Sequence, residues 1–292
     1  MIKKAALIIL SLAACILIFC AIYKPPLPDN HGKVDAQLFL SKSEKQPLLV
    51  AFGGSGGGMT YAQESAGAFR EKILSTGYAL LTIGYIGTDN SQSEIDRISL
   101  NAIYDTIQNY KNHPLIDGQK VTLLGLSRGG ELVLNLASRY SDFDAVISLV
   151  PSNMSMPLKF NRFGLFETSA WTIDDKEIPC LSSTYKKRKI LQKEGLHKLL
   201  SEILKDEQVV NKAEIPVENM NCPVLLISAK DDEVWPSTYM SDRIMQRLKD
   251  NDFRYGYRHI VIDGGHGAPF QDYEMIIDFL EGQLTQELPN GI

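Results

Sequence analysis

Residues 125–129 read Gly-Leu-Ser-Arg-Gly and match the pattern G-x-S-x-G around Ser127. In this pattern the serine lies at a sharp strand-to-helix turn, where glycines two positions away on either side remove side chains that would clash. An apolar, strand-like run ends at Ser127, and an amphipathic, helix-like run follows it. Ser127 is therefore a candidate nucleophile, although a glycine-rich turn without any chemistry has the same pattern.

A serine nucleophile needs an adjacent base at neutral pH, and the chain contains five histidines. His266 lies in IDGGHGAPF, directly after the last predicted strand, between glycines that leave its ring free to move. Loops beyond the carboxyl ends of strands are where an α/β sheet holds its site. His266 is thus the candidate base. Of the other histidines, His31 is expected in a linker and His113 directly before a proline. His197 is expected in an insertion and His259 within a strand.

A carboxylate must orient the imidazole and stabilise its protonated form. Asp231 and Asp232 end another predicted strand, in the sequence LLISAKDDEVWPS. Either could serve, and the other would then be a charge or cap near a helix N-terminus. The chain order serine, aspartate, histidine is the order of the α/β hydrolases and differs from the two other serine-protease orders.

A glycine-rich loop, AFGGSGGGM over 51–59, follows the first strong strand. In hydrolases of this shape, such a loop donates one backbone N–H to the oxyanion, and the residue after the nucleophile donates another. The predicted donors are Gly54 or Ser55, together with Arg128. A phosphate-binding loop is excluded, because Met59 stands where such loops need glycine or lysine.

Strands and helices alternate along most of the chain, which favours a mostly parallel sheet covered by helices on both faces. The strands are predicted over 46–54, 78–85, 120–127, 143–151, 222–232 and 257–265, and the helices over 61–77, 93–114, 128–140, 237–251 and 273–287. The alternation breaks down over 152–219, which is interpreted as a cap insertion. The predicted organisation is an α/β domain over 46–292, preceded by a linker and first strand region over 24–45.

Composition excludes some classes of function. The net charge of −5 and the lack of a long basic stripe argue against a nucleic-acid partner. The four cysteines form no CxxC pair, so neither a zinc site nor a redox motif is indicated. No cofactor or metal is expected, and the oligomeric state is not predicted.

The first 23 residues are expected to form a membrane anchor. Lys3 and Lys4 precede an apolar run over 5–23, close to the roughly 20 residues that span a bilayer. The lysines favour a cytoplasmic N-terminus and an extracytoplasmic, or periplasmic, active domain. Two alternatives remain: a lipoprotein with Cys15 as its lipidated first residue, and a secreted protein whose signal peptide is cleaved.

The chain from about 46 to 285 resembles the C-terminal α/β-hydrolase domain of the acyl-CoA thioesterase / bile acid-CoA:amino acid N-acyltransferase family. The resemblance lies in FGGSGGGM, GLSRGGELVLNLA, SAWTIDDKEIPCL, IPVENMNCPVLLISAKDDEVWPS and GGHGAP. It implies Ser127 as nucleophile, Asp232 rather than Asp231 as acid, and His266 as base. It also implies a structural role for the adjacent Trp235-Pro236. Family members that transfer acyl groups to amino acids carry a cysteine nucleophile, so the serine indicates the hydrolytic branch.

Two features depart from the family. Residues 24–45 leave no room for the N-terminal β-sandwich domain of the mammalian members, and an extracytoplasmic site would meet little acyl-CoA. The leading hypothesis is therefore a serine hydrolase of acyl esters or thioesters. The alternatives are an acyltransferase to an amine or alcohol, and a non-catalytic binding protein on a hydrolase scaffold. Acyl chain and leaving group are not predicted.

Overall fold

A computed structural model describes residues 25–157, 167–182 and 185–282, with positions 11–12, 15–16, 19 and 23 of the N-terminal segment. Most of the predicted membrane anchor over 1–23 thus lies outside the described residues, as do residues 283–292. Across the described part of the chain, no helix combines the length and apolar character needed to cross a membrane.

Within the described residues, seven strands form the central sheet: β1 Asp35–Phe39, β2 Gln46–Phe52, β3 Ala79–Gly84, β5 Ile116–Leu126, β6 Ala145–Leu149, β9 Val224–Ala229 and β10 Tyr257–Ile262. Their order in the sheet is β1-β3-β2-β5-β6-β9-β10. Only β1 runs antiparallel to its neighbour, and the other pairs are parallel, as predicted. A second sheet contains β4 Ile98–Ser99, β7 Trp171–Ile173 and β8 Lys176–Glu177.

Helices cover both faces of the sheet because the central strands are apolar on both sides. On β2, Leu48, Val50 and Phe52 pack into one core, while Leu49 and Ala51 pack into the other. The first core is closed by α2 Leu100–Lys111, α3 Arg128–Ala137 and α6 Ser237–Asp250, and the second by α1 Gly67–Ser75 and α8 Glu274–Leu280. A short helix, α7 Ala268–Gln271, precedes α8.

The chain order of the strands reverses between β2 and β5, which lie side by side at the middle of the sheet. Phe52 at the end of β2 is paired with Gly125 near the end of β5. The glycine-rich loop and the Ser127 turn therefore leave the sheet together, at the switch point where open α/β sheets bind ligands.

The helix predicted over 93–114 begins later than expected, at Leu100. The residues just before the helix contact the 152–219 region. The backbone N–H groups of Arg97 and Ile98 donate to the carbonyls of Ser169 and Ala170. Arg97 has a φ of 48°, which a helix cannot accommodate. The Ser99 hydroxyl then caps the helix by accepting the N–H of Ala102 at 3.2 Å.

The predicted helix over 61–77 was also too long. Residues Thr60–Ala62 and Glu64–Ala66 form separate 3₁₀ turns before the α-helix begins at Gly67. The aromatic ring of Tyr61 is fully buried against Phe69 and Phe270, and this packing fixes the turns in place of a continuous helix.

The region 152–219 contains β7, β8, α4 Tyr185–Ile203 and α5 Glu207–Ala213. Its apolar side chains, including Met154, Leu199 and Leu200, form a core of their own with Trp235 and Met240. Helix α4 is interrupted at Gly195, whose φ of 87° and ψ of 178° lie in a region that only glycine adopts readily.

Candidate active site

The strand-to-helix turn at Ser127 has the strained backbone that the G-x-S-x-G pattern predicts. Ser127 has a φ of 58° and a ψ of −115°, between the end of β5 and the start of α3. A Cβ on Gly125 would lie 2.0 Å from the carbonyl oxygen of Gly129, and a Cβ on Gly129 would lie 2.5 Å from that of Gly53. Both glycines are required because backbone atoms fill the space of their missing side chains.

Ser127, His266 and Asp232 form one continuous hydrogen-bonded chain. The Ser127 hydroxyl lies 2.9 Å from Nε2 of His266. On the opposite side of the ring, Nδ1 lies 2.9 Å from both carboxylate oxygens of Asp232. The three residues come from loops after β5, β10 and β9, so the parallel sheet brings together side chains that are 139 and 34 positions apart.

The carboxylate of Asp232 is buried and accepts further hydrogen bonds from the backbone N–H groups of Val234 and Trp235, at 3.0 and 3.1 Å. Burial opposes its ionisation, but hydrogen bonds from His266 and Ser237 outweigh burial and hold the pKa of Asp232 below its usual range. Asp232 is therefore ionised at neutral pH, and an ionised carboxylate can accept a hydrogen bond from Nδ1–H of His266.

The structure separates the two candidate aspartates. Asp231 is exposed, and its backbone N–H donates to the carbonyl of Gly264 at 3.0 Å. Asp232 alone of the two contacts the imidazole. Trp235, for which a structural role was expected, packs its indole edge-on against the His266 ring, with 5.0 Å between the ring centroids.

A second hydrogen-bonded set of serine, histidine and aspartate is centred on His259. Its Nε2 lies 2.7 Å from the Ser228 hydroxyl, and its Nδ1 lies 3.0 Å from Asp242. Ser228 is fully buried near the end of β9, and Thr238 contacts the same hydroxyl at 3.0 Å. Ser228 lies within a strand, not at a strained turn, and does not line the cavity that contains Ser127, so we assign this set a structural role. The sequence left His259 as a packed or a surface residue, and the structure shows its side chain packed.

The predicted oxyanion donors lie at the serine. A Cβ on Gly54 would be 3.2 Å from the Cβ of Ser127, so this loop closes directly over the turn. Gly54, Ser55 and Arg128 all line the cavity that contains Ser127 and His266. The Tyr85 hydroxyl donates to the carbonyl of Gly53 at 2.9 Å and fixes the start of the glycine-rich loop.

The cavity at the serine has a volume of about 700 Å³. Its apolar wall is supplied mainly by the 152–219 region, through Met156, Pro157, Leu191, Leu196 and Leu200. The Ser127 turn, the glycine-rich loop and His266 line the same cavity. An apolar chain can therefore occupy the wall while a polar group at its end contacts the serine.

A buried charge network beneath the serine was missed by the sequence analysis. Glu131 is fully buried, and its carboxylate lies 2.7 Å from Nη1 of Arg128. The same carboxylate accepts the backbone N–H of Met156 at 2.8 Å and the indole N–H of Trp171. Burial raises the pKa of Glu131, against the effect of Arg128 and these hydrogen bonds. The only signal in the sequence was the i,i+3 spacing of Arg128 and Glu131, which is also common on exposed helix faces.

No group of three or more histidine, cysteine, aspartate or glutamate side chains within the described residues is arranged to hold a metal ion. The reactive groups that the structure places at this site are a hydroxyl, an imidazole and a carboxylate, next to the glycine-rich loop and the start of α3.

Known proteins share the sequence and the fold. Acyl-coenzyme A thioesterase 2 of mouse mitochondria is 28% identical over 225 residues, which cover 76% of this chain and 45% of that protein. The chain therefore spans less than half the length of this relative. Among solved structures, the acylaminoacyl peptidase of Pyrococcus horikoshii has a TM-score of 0.57 at 16% identity, covering 89% of this chain and 41% of that chain.

The α/β hydrolase GrgF from Penicillium has a TM-score of 0.52 at 14% identity, covering 88% of this chain and 99% of that chain. Identity this low shows the fold alone. A family model described as BAAT / acyl-CoA thioester hydrolase C terminal matches residues 99–269, more than half of the chain. The chain accordingly has the α/β-hydrolase fold and belongs to the BAAT / acyl-CoA thioester hydrolase C-terminal family.

Proposed function

We propose that this chain is a serine hydrolase that cleaves acyl esters or thioesters through an acyl-enzyme. The observation that carries the proposal is the continuous Ser127–His266–Asp232 hydrogen-bonded chain at the end of an apolar cavity. The turn geometry at Ser127 and the membership of the thioester hydrolase family support the same reading.

In this mechanism Ser127 Oγ attacks the acyl carbonyl carbon while its proton passes to Nε2 of His266. Asp232 accepts a hydrogen bond from Nδ1–H of His266 and stabilises the imidazolium that forms. The carbonyl oxygen becomes an oxyanion, which the backbone N–H of Arg128 and that of Gly54 or Ser55 stabilise, each donor contributing about 3 kcal/mol. His266 then returns the proton to the departing alcohol or thiol, and the acyl group remains on Ser127.

The second half of the reaction repeats these steps with water. His266 takes a proton from water, the resulting hydroxide attacks the acyl-enzyme, and the proton returns to Ser127 Oγ as the carboxylic acid leaves. An amine or alcohol in place of water would make the chain an acyltransferase, and product analysis with added acceptors distinguishes the two.

The substrate's acyl part is apolar and occupies the wall formed by Met156, Leu191, Leu196 and Leu200. The leaving group is an alcohol or a thiol. Acyl-CoA thioesters are suggested by the names of the relatives, such as the mouse thioesterase. Matched acyl chains on p-nitrophenol and on coenzyme A would measure the preference directly.

The decisive experiment is labelling with a fluorophosphonate probe, which reacts with an activated serine. We expect labelling and ester hydrolysis in the wild type, and neither in Ser127→Ala. Ser228→Ala is the matched control, because it removes the serine hydroxyl that contacts the His259 ring. The proposal is wrong if the folded wild type is not labelled, or if Ser127→Ala retains activity across ester and thioester panels.

We also propose that the 1–23 segment anchors the domain at a membrane, with the active domain outside the cytoplasm. The support is the sequence alone: Lys3 and Lys4, followed by an apolar run over 5–23. Fractionation of cells expressing the full chain, with mass analysis of its N-terminus, distinguishes an uncleaved anchor from lipidation at Cys15 and from cleavage.

A further inference from the structure

A hydrogen bond joins the loop that carries His266 to the turn after β9. Its acceptor is a carboxylate outside the Ser127–His266–Asp232 set. The side chain of Glu233 accepts the backbone N–H of His266, with 2.9 Å between N and Oε2. Glu233 directly follows Asp232, whose carboxylate contacts the ring of the same histidine. Two consecutive acidic residues thus hold the main chain and the side chain of His266.

The approach of Glu233 depends on a glycine. A Cβ on Gly265 would lie 2.6 Å from Oε2 of Glu233, a distance shorter than any van der Waals contact. The backbone N–H of Asp231 adds a further tie by donating to the carbonyl of Gly264 at 3.0 Å. Gly265 therefore leaves the space that Glu233 needs to reach the backbone of His266.

We propose that Glu233 is a positioning residue, which acts through His266 by fixing the main chain from which the imidazole projects. This inference rests on the proposed serine hydrolase function. The ring must keep 2.9 Å to Ser127 on one side and 2.9 Å to Asp232 on the other. Glycines flank His266 at positions 265 and 267, so the local backbone is intrinsically permissive.

Displacements of about 1 Å in a reacting group reduce rates by up to about 100-fold. The Glu233 tie limits such displacements without contacting substrate. Its loss is therefore expected to lower the rate of the chemical step, and to leave the affinity for the acyl chain unchanged. Glu233 is exposed, so its truncation removes no packed side chain and creates no cavity.

The test compares three variants of the full chain. Glu233→Ala removes the acceptor, whereas Glu233→Gln keeps a side-chain oxygen that can accept the same N–H. Asp231→Asn is the matched control for charge, because it removes one negative charge from the same exposed turn, and Asp231 makes no side-chain hydrogen bond among the described residues. The readouts are kcat and KM for a p-nitrophenyl ester, the rate of fluorophosphonate labelling at Ser127, and Tm.

We expect Glu233→Ala to lower kcat about 10-fold, with KM within twofold of the wild type, an unchanged Tm and slower labelling. We expect Glu233→Gln to recover most of kcat, and Asp231→Asn to match the wild type. Unchanged kcat in Glu233→Ala, failure of glutamine to rescue, or an equal loss in Asp231→Asn would each overturn the inference. A wild type that is not labelled would overturn the proposed function instead.

Discussion

Replacing Glu131 tests the buried network beneath the proposed nucleophile. Its carboxylate is fully buried and lies 2.7 Å from the Arg128 guanidinium. Removing one partner of a buried ion pair costs about 3–5 kcal/mol, because the remaining charge stays desolvated. In Glu131→Ala, the backbone N–H of Met156 and the indole N–H of Trp171 also lose their acceptor. We therefore expect a loss of at least about 3 kcal/mol in the free energy of unfolding.

That loss is large, because a typical domain has only about 5–15 kcal/mol of net stability. Two further variants separate charge from hydrogen bonding. Glu131→Gln keeps an acceptor for Met156 and Trp171 but leaves Arg128 unpaired. The double variant Arg128→Met/Glu131→Leu removes both charges and keeps similar volume, a replacement that is often neutral or stabilising by about 1–4 kcal/mol. Both this variant and Glu131→Ala remove the acceptor of Met156 and Trp171, but only Glu131→Ala leaves a buried charge unpaired. We therefore expect the double variant to be more stable than Glu131→Ala.

The measurement is equilibrium unfolding in urea, followed by tryptophan fluorescence, with the free energy taken from the midpoint and slope. Trp171 lies at the network itself, so its emission reports on this region. Every variant keeps the backbone N–H of residue 128. We therefore expect each folded variant to be labelled by fluorophosphonate at Ser127. A change below about 1 kcal/mol in Glu131→Ala, or a double variant that is no more stable than Glu131→Ala, would refute the reasoning.

Three shorter predictions concern the triad, the turn and the second histidine. Asp232→Asn should lower kcat for ester hydrolysis by about 10³–10⁴-fold with little change in Tm, because an amide cannot stabilise the imidazolium; near-normal activity would contradict the proposed acid. Gly129→Ala should lower Tm and abolish labelling, since its Cβ would lie 2.5 Å from the Gly53 carbonyl oxygen; a stable, labelled variant would contradict the described turn. Burial lowers the pKa of His259 below its usual value near 6.5, against the effect of Asp242. The unfolded chain therefore binds the proton more tightly, so His259's contribution to stability falls as pH drops below about 6.5. Unfolding in urea at pH 5 and pH 7.5 should show a larger difference in the wild type than in His259→Gln, and equal differences would show that His259 does not titrate in this way.

Much of the site was predictable because its signals are local. Strand ends, the glycines around Ser127 and the glycine-flanked His266 all follow from short-range steric and hydrophobic preferences. The parallel sheet then fixes where the loops emerge, and so the sequence indicated that residues far apart in the chain meet at one edge. The fold class follows from the same alternation of buried strands and amphipathic helices.

The start of α2 and the helix over 61–77 were predicted wrongly, since long-range contacts override local helical periodicity there. The N–H of Arg97 pairs with the insertion, and Tyr61 packs against a ring more than 200 positions away. Apolar spacing does not encode either contact.

By itself, the sequence determined the sheet and the three residue types that end its strands, because burial and turn sterics act over a few neighbouring positions. It left Asp231 and Asp232 equivalent without the family resemblance. The tertiary structure shows Asp232 in contact with the imidazole, as the resemblance implied. Tertiary structure alone decided that Glu233 holds the backbone of His266 and that Glu131 pairs with Arg128 out of water. Each of these depends on the relative placement of separate loops and helices, which is set by packing across the sheet and not by the order of the residues in any one segment.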